Sequence, residues 1–356
     1  MEKYRIAIVG RGLVGQEMIK CLRKSAIFWN NKPKILATSS AFQVLAGEFF
    51  EVKETKPEEF EGIDIAFFAG TEGEKGAAVM FAEEAIKRGA TVIDNGADFR
   101  MRPDVPLVIP EINPEDLNWH KGLIANPNCS TIIMLMALWW LHRESPLKRV
   151  ILSTYQAVSG SGGAAKDELK QQILGAVSLK DNILELAEKT QIPARVYPQL
   201  IAFNLFPEIG KFEEFGFTTE EWKCVRETHK IFHDDSIAIS ATTVRVPVFN
   251  AHSESIYIET ERKITANKAR EILSRAPGIK VIEPYPTPQM ASGRDEVLVG
   301  RIREDPFVEN GLSLWVVGDN IRKGAALNAV QIGEELVKRG LLKRTQELKM
   351  EERFKK

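Results

Sequence analysis

Cys129 stands in Asn126-Pro127-Asn128-Cys129-Ser130-Thr131, directly ahead of the apolar run Ile132–Leu141. That run reads as a buried helix, so Cys129 falls at or beside a helix N-terminus. The N–H groups and the dipole at such an end favour a thiolate, the nucleophilic form of cysteine. Asn128, Ser130 and Thr131 are all cap-type residues, and any of them can fix the turn. Cys21 and Cys224 lie inside predicted helices, where cysteine serves as a small buried hydrophobe. A thiolate nucleophile needs a proton partner. Among the five histidines, His252 in Asn250-Ala-His-Ser-Glu254 lies in a short turn between two predicted strands, a place where rigid sheets present reactive groups. His229 and His233 are four apart on a predicted helix and read as a solvated face. They have no third ligand nearby, so no metal is expected.

A second constellation is Gly10-Arg11-Gly12-Leu13-Val14-Gly15, set between a short β-rich run and a helical stretch. Glycines there let the backbone approach a pyrophosphate, and the helix N-terminus supplies aligned N–H groups. A site specific for NAD carries Asp or Glu at the end of the second strand, to bond the ribose 2′-hydroxyl. Here that place reads Ala37-Thr38-Ser39-Ser40. Hydroxyls can donate to a 2′-phosphate and Arg11 can reach it, so NADP is the expected cofactor.

The elements that position these groups alternate strand and helix through the first third of the chain. Tyr4–Val9, Ile35–Ser39, Ile63–Phe68 and Thr91–Ile93 read as strands; Val14–Lys24 and Lys75–Lys87 read as helices. Near-continuous apolar strands between amphipathic helices predict a parallel sheet covered on both faces. Beyond about residue 130 the strands alternate polar and apolar, as in Ser253–Thr260, which suits an α+β domain with a mixed or antiparallel sheet. Strands are predicted over 149–158, 237–248, 253–264, 297–303 and 312–317, and helices over 164–177, 219–232 and 267–275. A final helical stretch, Gly324–Arg339, carries the apolar stripe Ala325, Ala326, Ala329, Val330, Ile332 and Val337. It is expected to pack back on the first domain. The expected division is a Rossmann-type domain over 1–128 plus 323–356 and a catalytic domain over 129–322, with a charged surface helix from Leu341 to the end.

Composition narrows the function classes. The chain has 356 residues, 44% hydrophobic and 27% charged, the balance of a soluble globular protein. Lys plus Arg is 48 and Asp plus Glu is 49, so no bulk positive field exists to hold nucleic acid or an anionic membrane. The longest apolar run is too short to span a bilayer. Met1-Glu2-Lys3-Tyr4 leads into a strand without a signal-like apolar segment. Three widely spaced cysteines form neither a disulfide framework nor a CxxC pair. A cytoplasmic location is expected.

Asn126–Thr131, Ser153-Thr-Tyr-Gln-Ala-Val-Ser-Gly160, Arg245-Val-Pro-Val with Ala251-His-Ser-Glu254, and Val317-Gly-Asp-Asn-Ile-Arg-Lys-Gly-Ala-Ala326 closely resemble the aspartate-β-semialdehyde dehydrogenase family. The likeness runs in order from residue 5 to about 340. It implies a glyceraldehyde-3-phosphate-dehydrogenase-like fold, with a second domain that both catalyses and dimerises. The expected assembly is a homodimer, which can double to a homotetramer. The reaction implied is NADPH-dependent reductive dephosphorylation of L-β-aspartyl phosphate to L-aspartate-β-semialdehyde, in the biosynthesis of lysine, threonine, methionine and isoleucine. The site is expected between the domains.

By resemblance, Cys129 is the nucleophile, Gln156 positions the reacting carbonyl and His252 is the acid/base. Arg245 holds the substrate α-carboxylate, Glu220 and Lys223 take the amino group and the phosphate, and Arg100 with Asn128 beside it belongs to the phosphate site. The cofactor set is Gly10, Arg11, Gly12, Leu13, Val14, Gly15, Ser39, Ser40, Gly70, Thr71, Ser159, Gly160, Gly162 and Asn320. The substrate's own chemistry agrees, because a carboxylate, an ammonium and a phosphate call for one acidic and at least two cationic groups. Glu220 and Lys223, three apart behind a Thr218-x-x-Glu221 capping box, share a helix face. Taken alone they also fit a surface ion pair. An N-acetyl-glutamyl-phosphate reductase would not need Glu220 for a free ammonium. A malonyl-CoA reductase would dispense with the phosphate site. A silent NADP-sensing relative would be expected to lack Cys129 or His252.

Overall fold

In the computed structural model the described residues are 4–70, 73–178 and 194–342. Thr71, expected at the cofactor, and the tail beyond Leu342 lie outside them. The chain divides into two compact units, 1–132 with 226–235 and 322–356, and 133–225 with 236–321. The expected division keeps 226–235 with the second domain; in the structure this stretch packs with the first. The longer helices are α1 (Leu13–Lys24), α2 (Ala77–Lys87), α3 (Cys129–Glu144), α4 (Gly163–Ser178), α5 (Thr219–Phe232), α6 (Ala266–Arg275) and α7 (Leu327–Lys338).

The first unit is built on β1 (Ile6–Val9), β2 (Lys34–Ala37), β3 (Ala41–Leu45), β4 (Glu48–Glu54), β5 (Ile65–Phe68), β6 (Thr91–Asp94) and β7 (Leu123–Ala125), in the order β3-β4-β2-β1-β5-β6-β7. Every pairing is parallel except β3–β4. All residues of β1, β5 and β6 are buried, as covering on both faces demands. The β3–β4 hairpin was not expected: it turns at Ala46-Gly47, both at positive φ, and shows Phe42, Val44 and Phe49 to solvent. The apolar stripe of α7 is spent on this unit. Ala329, Val330, Ile332 and Leu336 join Ile8, Ile19, Leu22, Phe28 and Ile93 in one core.

The second unit holds β8 (Leu147–Gln156), β9 (Ala238–Arg245), β10 (His252–Thr260), β11 (Ile279–Val281), β12 (Val297–Glu304) and β13 (Gly311–Gly318), in the order β11-β12-β13-β10-β8-β9. β10 is antiparallel to both neighbours, while β8–β9 and β11–β12 are parallel, so the sheet is mixed. Side chains alternate across it. On one face Arg245, Thr243, Gln156, Thr154, His252, Glu254 and Ile256 are buried. On the other, Ile151 and Tyr155 are exposed, and the Tyr155 ring lies 5.5 Å from that of Trp315. α5 begins where its capping box directs: Thr218 Oγ1 accepts the Glu221 N–H, and Glu221 Oε2 accepts the Thr218 N–H at 2.7 Å.

Candidate active site

The glycine loop joins β1 to α1. Gly10 has φ +120°, and a Cβ there would fall 2.5 Å from the Ala69 carbonyl oxygen. A Cβ on Gly15 would fall 2.1 Å from the Gly10 carbonyl oxygen. Neither position accepts a side chain, and the packing they permit brings α1 tightly onto β1. Gly12 is the N-cap, offers no side-chain cap and has open space where a Cβ would project. The first-turn N–H groups, at Leu13, Val14 and Gly15, thus form a helix end suited to a pyrophosphate. Arg11 reaches across the ends of the strands: Nη2 donates to Ser39 Oγ at 3.4 Å and Nη1 to Gln43 Oε1 at 3.5 Å. Gln43, on the unexpected hairpin, had no signal in the sequence. Ser40 points elsewhere, its Oγ accepting the Glu54 N–H. Gly70 follows β5, where a Cβ would fall 2.9 Å from that of Ala77.

Cys129 is the first residue of α3 and is partly exposed; Cys21 and Cys224 are buried free thiols within helices. Of the three candidate caps it is Asn128 that fixes the turn, its Oδ1 accepting the Ser130 and Thr131 N–H groups at 2.9 and 3.2 Å. One turn further on, Ile133 packs against Gly318, where a Cβ would fall 2.7 Å from Ile133 Cγ1. Gly318 is the cross-strand partner of His252. Arg100 is buried, and its guanidinium donates to the Asn126 and Asn95 carbonyls and to Glu227.

The remaining side chains gather at one end of the second sheet. Arg245 and Gln156 are direct β9–β8 neighbours, and Gln156, one residue past the Tyr155–Ser253 pair, shares its face with His252. Ala157 links two of them. Its N–H donates to His252 Nδ1 at 3.0 Å, and its carbonyl accepts Arg245 Nη1 at 2.6 Å. An imidazole whose Nδ1 accepts a backbone N–H carries its proton on Nε2 when neutral. Burial pushes the His252 pKa down to about 3, with the Arg245 charge acting the same way against a smaller opposing effect of Glu220. Gln156 Nε2 donates to Glu220 Oε1 at 3.2 Å, and Lys223 Nζ to Glu220 Oε2 at 3.3 Å. Glu220 is buried, so the pair is no surface ion pair. Arg245 is 5% exposed, yet among the described residues no carboxylate lies within ion-pair distance of it. A buried guanidinium with one carbonyl partner is costly unless an anion completes it.

Gly160 backs this group. A Cβ there would fall 2.8 Å from Arg245 Nη1 and 3.4 Å from His252 Nε2. Ser159 Oγ and the Ala251 N–H both donate to Asn320 Oδ1 at 3.0 Å. This holds Ala251 at φ +69° immediately before His252. Gly162, at φ +89°, turns the chain into α4. Glu254 lies two residues from His252 on the same face, and burial raises its carboxyl well above the usual range. His229 and His233 do not share a helix face: α5 ends at Phe232, and His233 turns out at φ +54° toward Asp116.

One unit carries a nucleotide-type loop and the other an imidazole beside a guanidinium that has no carboxylate partner among the described residues, and two family models place the chain among the semialdehyde dehydrogenases, an oxidoreductase class. The model for the semialdehyde dehydrogenase NAD binding domain matches residues 5–120, and that for the semialdehyde dehydrogenase dimerisation domain matches 140–323. Individual relatives narrow the class. Aspartate-semialdehyde dehydrogenase of Aquifex aeolicus (strain VF5) is 49% identical over 352 residues, covering 95% of this chain and 99% of that protein. The Bacillus subtilis (strain 168) protein of the same name is 43% identical over 348 residues, covering 95% and 98%. A crystal structure of aspartate semialdehyde dehydrogenase II complexed with ASA from Vibrio cholerae aligns with a TM-score of 0.86 at 38% identity, over 95% of this chain and 99% of that one. The chain belongs to the aspartate-semialdehyde dehydrogenase family.

Proposed function

We propose that the protein reduces L-β-aspartyl phosphate to L-aspartate-β-semialdehyde with release of phosphate, using NADPH. The observation that carries this reading is the buried Arg245 guanidinium, which lacks a carboxylate partner among the described residues and stands beside Gln156, His252 and the Glu220–Lys223 pair. A substrate α-carboxylate completes the guanidinium, Glu220 meets the ammonium, and Lys223 and Arg100 meet the phosphate. An N-acetylated or CoA substrate leaves one of these charges unanswered.

The chain's own groups account for the covalent steps. The Cys129 thiolate attacks the acyl carbon, a tetrahedral oxyanion forms, and its collapse expels phosphate to leave a thioester on Sγ. When bound, a nicotinamide supplies the hydride that reduces the thioester. The resulting hemithioacetal oxyanion expels the thiolate as the aldehyde forms. Both oxyanions need a donor. Gln156 orients the carbonyl, and His252 offers its Nε2–H to the oxygen. The acid/base role implied by the resemblance narrows accordingly, since Nδ1 is occupied by Ala157 and the ring offers no free lone pair. No net proton transfer to the ring is required, because the thiolate is regenerated as it leaves.

The cofactor end favours NADP on the Arg11–Ser39 contact, with no carboxylate among Ala37–Ser40 to bond a 2′-hydroxyl. Arg11→Ala is expected to raise the KM for NADP about tenfold or more, the size of a lost charge-assisted hydrogen bond, and to leave the KM for NAD unchanged. Equal losses with both cofactors would remove Arg11 from the 2′-phosphate site. The family's dimerisation domain and the apolar Ile151, Tyr155 and Trp315 on the outer sheet face support a homodimer, and the free thiols support work in the reducing cytoplasm.

The test is reduction of NADP by L-aspartate-β-semialdehyde, followed by nicotinamide absorbance, with and without phosphate and with NAD in parallel. Turnover that requires phosphate supports the acyl-phosphate reading. Turnover without phosphate, or only with acyl-CoA substrates, overturns it.

A further inference from the structure

Arg245 and Arg100 are both buried, but they differ in one respect. Arg245 meets a single carbonyl, whereas Arg100 is paired with Glu227, a residue outside the substrate and cofactor sets. Glu227 is 1% exposed and divides its two oxygens between two donors. Oε1 accepts Arg100 Nη1 at 3.0 Å, and Oε2 accepts the backbone N–H of Asn128 at 2.7 Å. Asn128 is the cap of α3 and immediately precedes Cys129. Arg100 itself spans the gap between two loops, with Nη2 on the Asn95 carbonyl at 2.7 Å and Nε on the Asn126 carbonyl at 2.9 Å. One turn along α5, Lys230 Nζ binds the carbonyls of Arg100, Arg102 and Val105 at 2.6–2.7 Å.

We propose that Glu227 is a positioning residue that sets the Arg100 guanidinium and the Asn128–Cys129 peptide in one fixed relation. The inference rests on the proposed phosphate role of Arg100. Only a carboxylate of this length serves. A neutral amide has one acceptor and one donor end, so Gln at 227 satisfies either Arg100 or the Asn128 N–H and turns an N–H toward the other. Asp is one methylene short and holds one of the two. The spacing agrees with a common role, since Glu220, Lys223, Glu227 and Lys230 recur at i, i+3, i+7 and i+10 on a single face of α5.

The test uses the full-length enzyme in the phosphate-dependent direction, with Glu227→Gln, Arg100→Gln and the double variant. Glu227→Gln is expected to raise the KM for phosphate at least tenfold, to slow alkylation of Cys129 by iodoacetamide, and to leave NADP affinity unchanged. In the Arg100→Gln background the same substitution is expected to cause no further rise in the phosphate KM, because Glu227 acts on phosphate through that arginine. Glu227→Asp is the second variant, should the amide fail to fold, and the same rise is expected. A phosphate KM within twofold of wild type, or effects of the two single substitutions that multiply in the double variant, would overturn the assignment. Wild-type enzyme that turns over without phosphate would overturn the underlying reading as well, and is recognised before any variant is made.

Discussion

Cys129→Ala abolishes turnover, by about 10⁴-fold or more, while NADP binds as in wild type. The expected size follows from the chemistry: without Sγ no thioester forms, and hydride would have to reach an acyl phosphate that nothing has captured. The position also argues for a mild structural cost. Cys129 is partly exposed at the start of α3, and the cap of that helix belongs to Asn128, whose Oδ1 bonds to Ser130 and Thr131 do not involve the thiol. Loss of activity with an unchanged thermal midpoint and unchanged NADP affinity is therefore the expected pair of results. Cys129→Ser should behave nearly as badly, because a serine hydroxyl ionises far less readily than a thiol and is a much weaker nucleophile at neutral pH. Cys21→Ala and Cys224→Ala should keep full chemistry, the first losing the contact that Arg322 Nη1 donates to Cys21 Sγ at 3.5 Å. Turnover by Cys129→Ala near the wild-type rate would end the covalent mechanism.

Much of the scaffold was legible because the patterns are physical. The apolar runs of β1, β5 and β6 read as strands covered on both sides, and they are wholly buried. The predicted helix over 219–232 coincides with α5, since Thr218 and Glu221 form the cap box that starts it. The β3–β4 hairpin is hidden in the sequence because its residues neither alternate cleanly nor avoid solvent: Phe42 and Phe49 are exposed and stack on each other at 5.7 Å. Short edge strands such as β7 and β11 carry three residues each and offer no period to detect.

Side-chain partnerships were harder still. That Asn128, not Ser130 or Thr131, caps α3 depends on one rotamer. The spacing of Glu220 and Lys223 was visible on the helix, but nothing in it told a buried pair from a solvated one, and Glu227 carried no signal of its own. The deciding fact is burial, which is a property of what packs against α5. The same holds for Ala157, a residue with no chemistry in its side chain, whose two backbone groups tie Arg245 to His252.

That tie underlies the second large effect. His252→Ala should lower kcat by about 10²–10³-fold, the usual range for a lost hydrogen-bond donor to an oxyanion. The tautomer then makes a sharper distinction. The amide nitrogen of Gln reaches the place of Nε2, while that of Asn reaches only the place of Nδ1. If the working atom is Nε2–H, His252→Gln keeps a donor on the oxyanion and is expected to exceed His252→Asn in kcat by about tenfold, the worth of one retained hydrogen bond. The pH dependence follows from the same environment. Burial and Arg245 hold the imidazole near pKa 3, so it stays neutral from pH 5 to 8 in the free enzyme. The folded value lies below the ordinary 6.5, so the unfolded chain binds more protons between them. Stability from this group is complete above about pH 6.5 and is lost as pH falls toward 3. The profile of kcat/KM should accordingly show no limb near 6.5 that disappears in His252→Gln. Such a limb, or an Asn variant as active as the Gln one, would return His252 to the role of a titrating acid and move the proton from Nε2 to Nδ1.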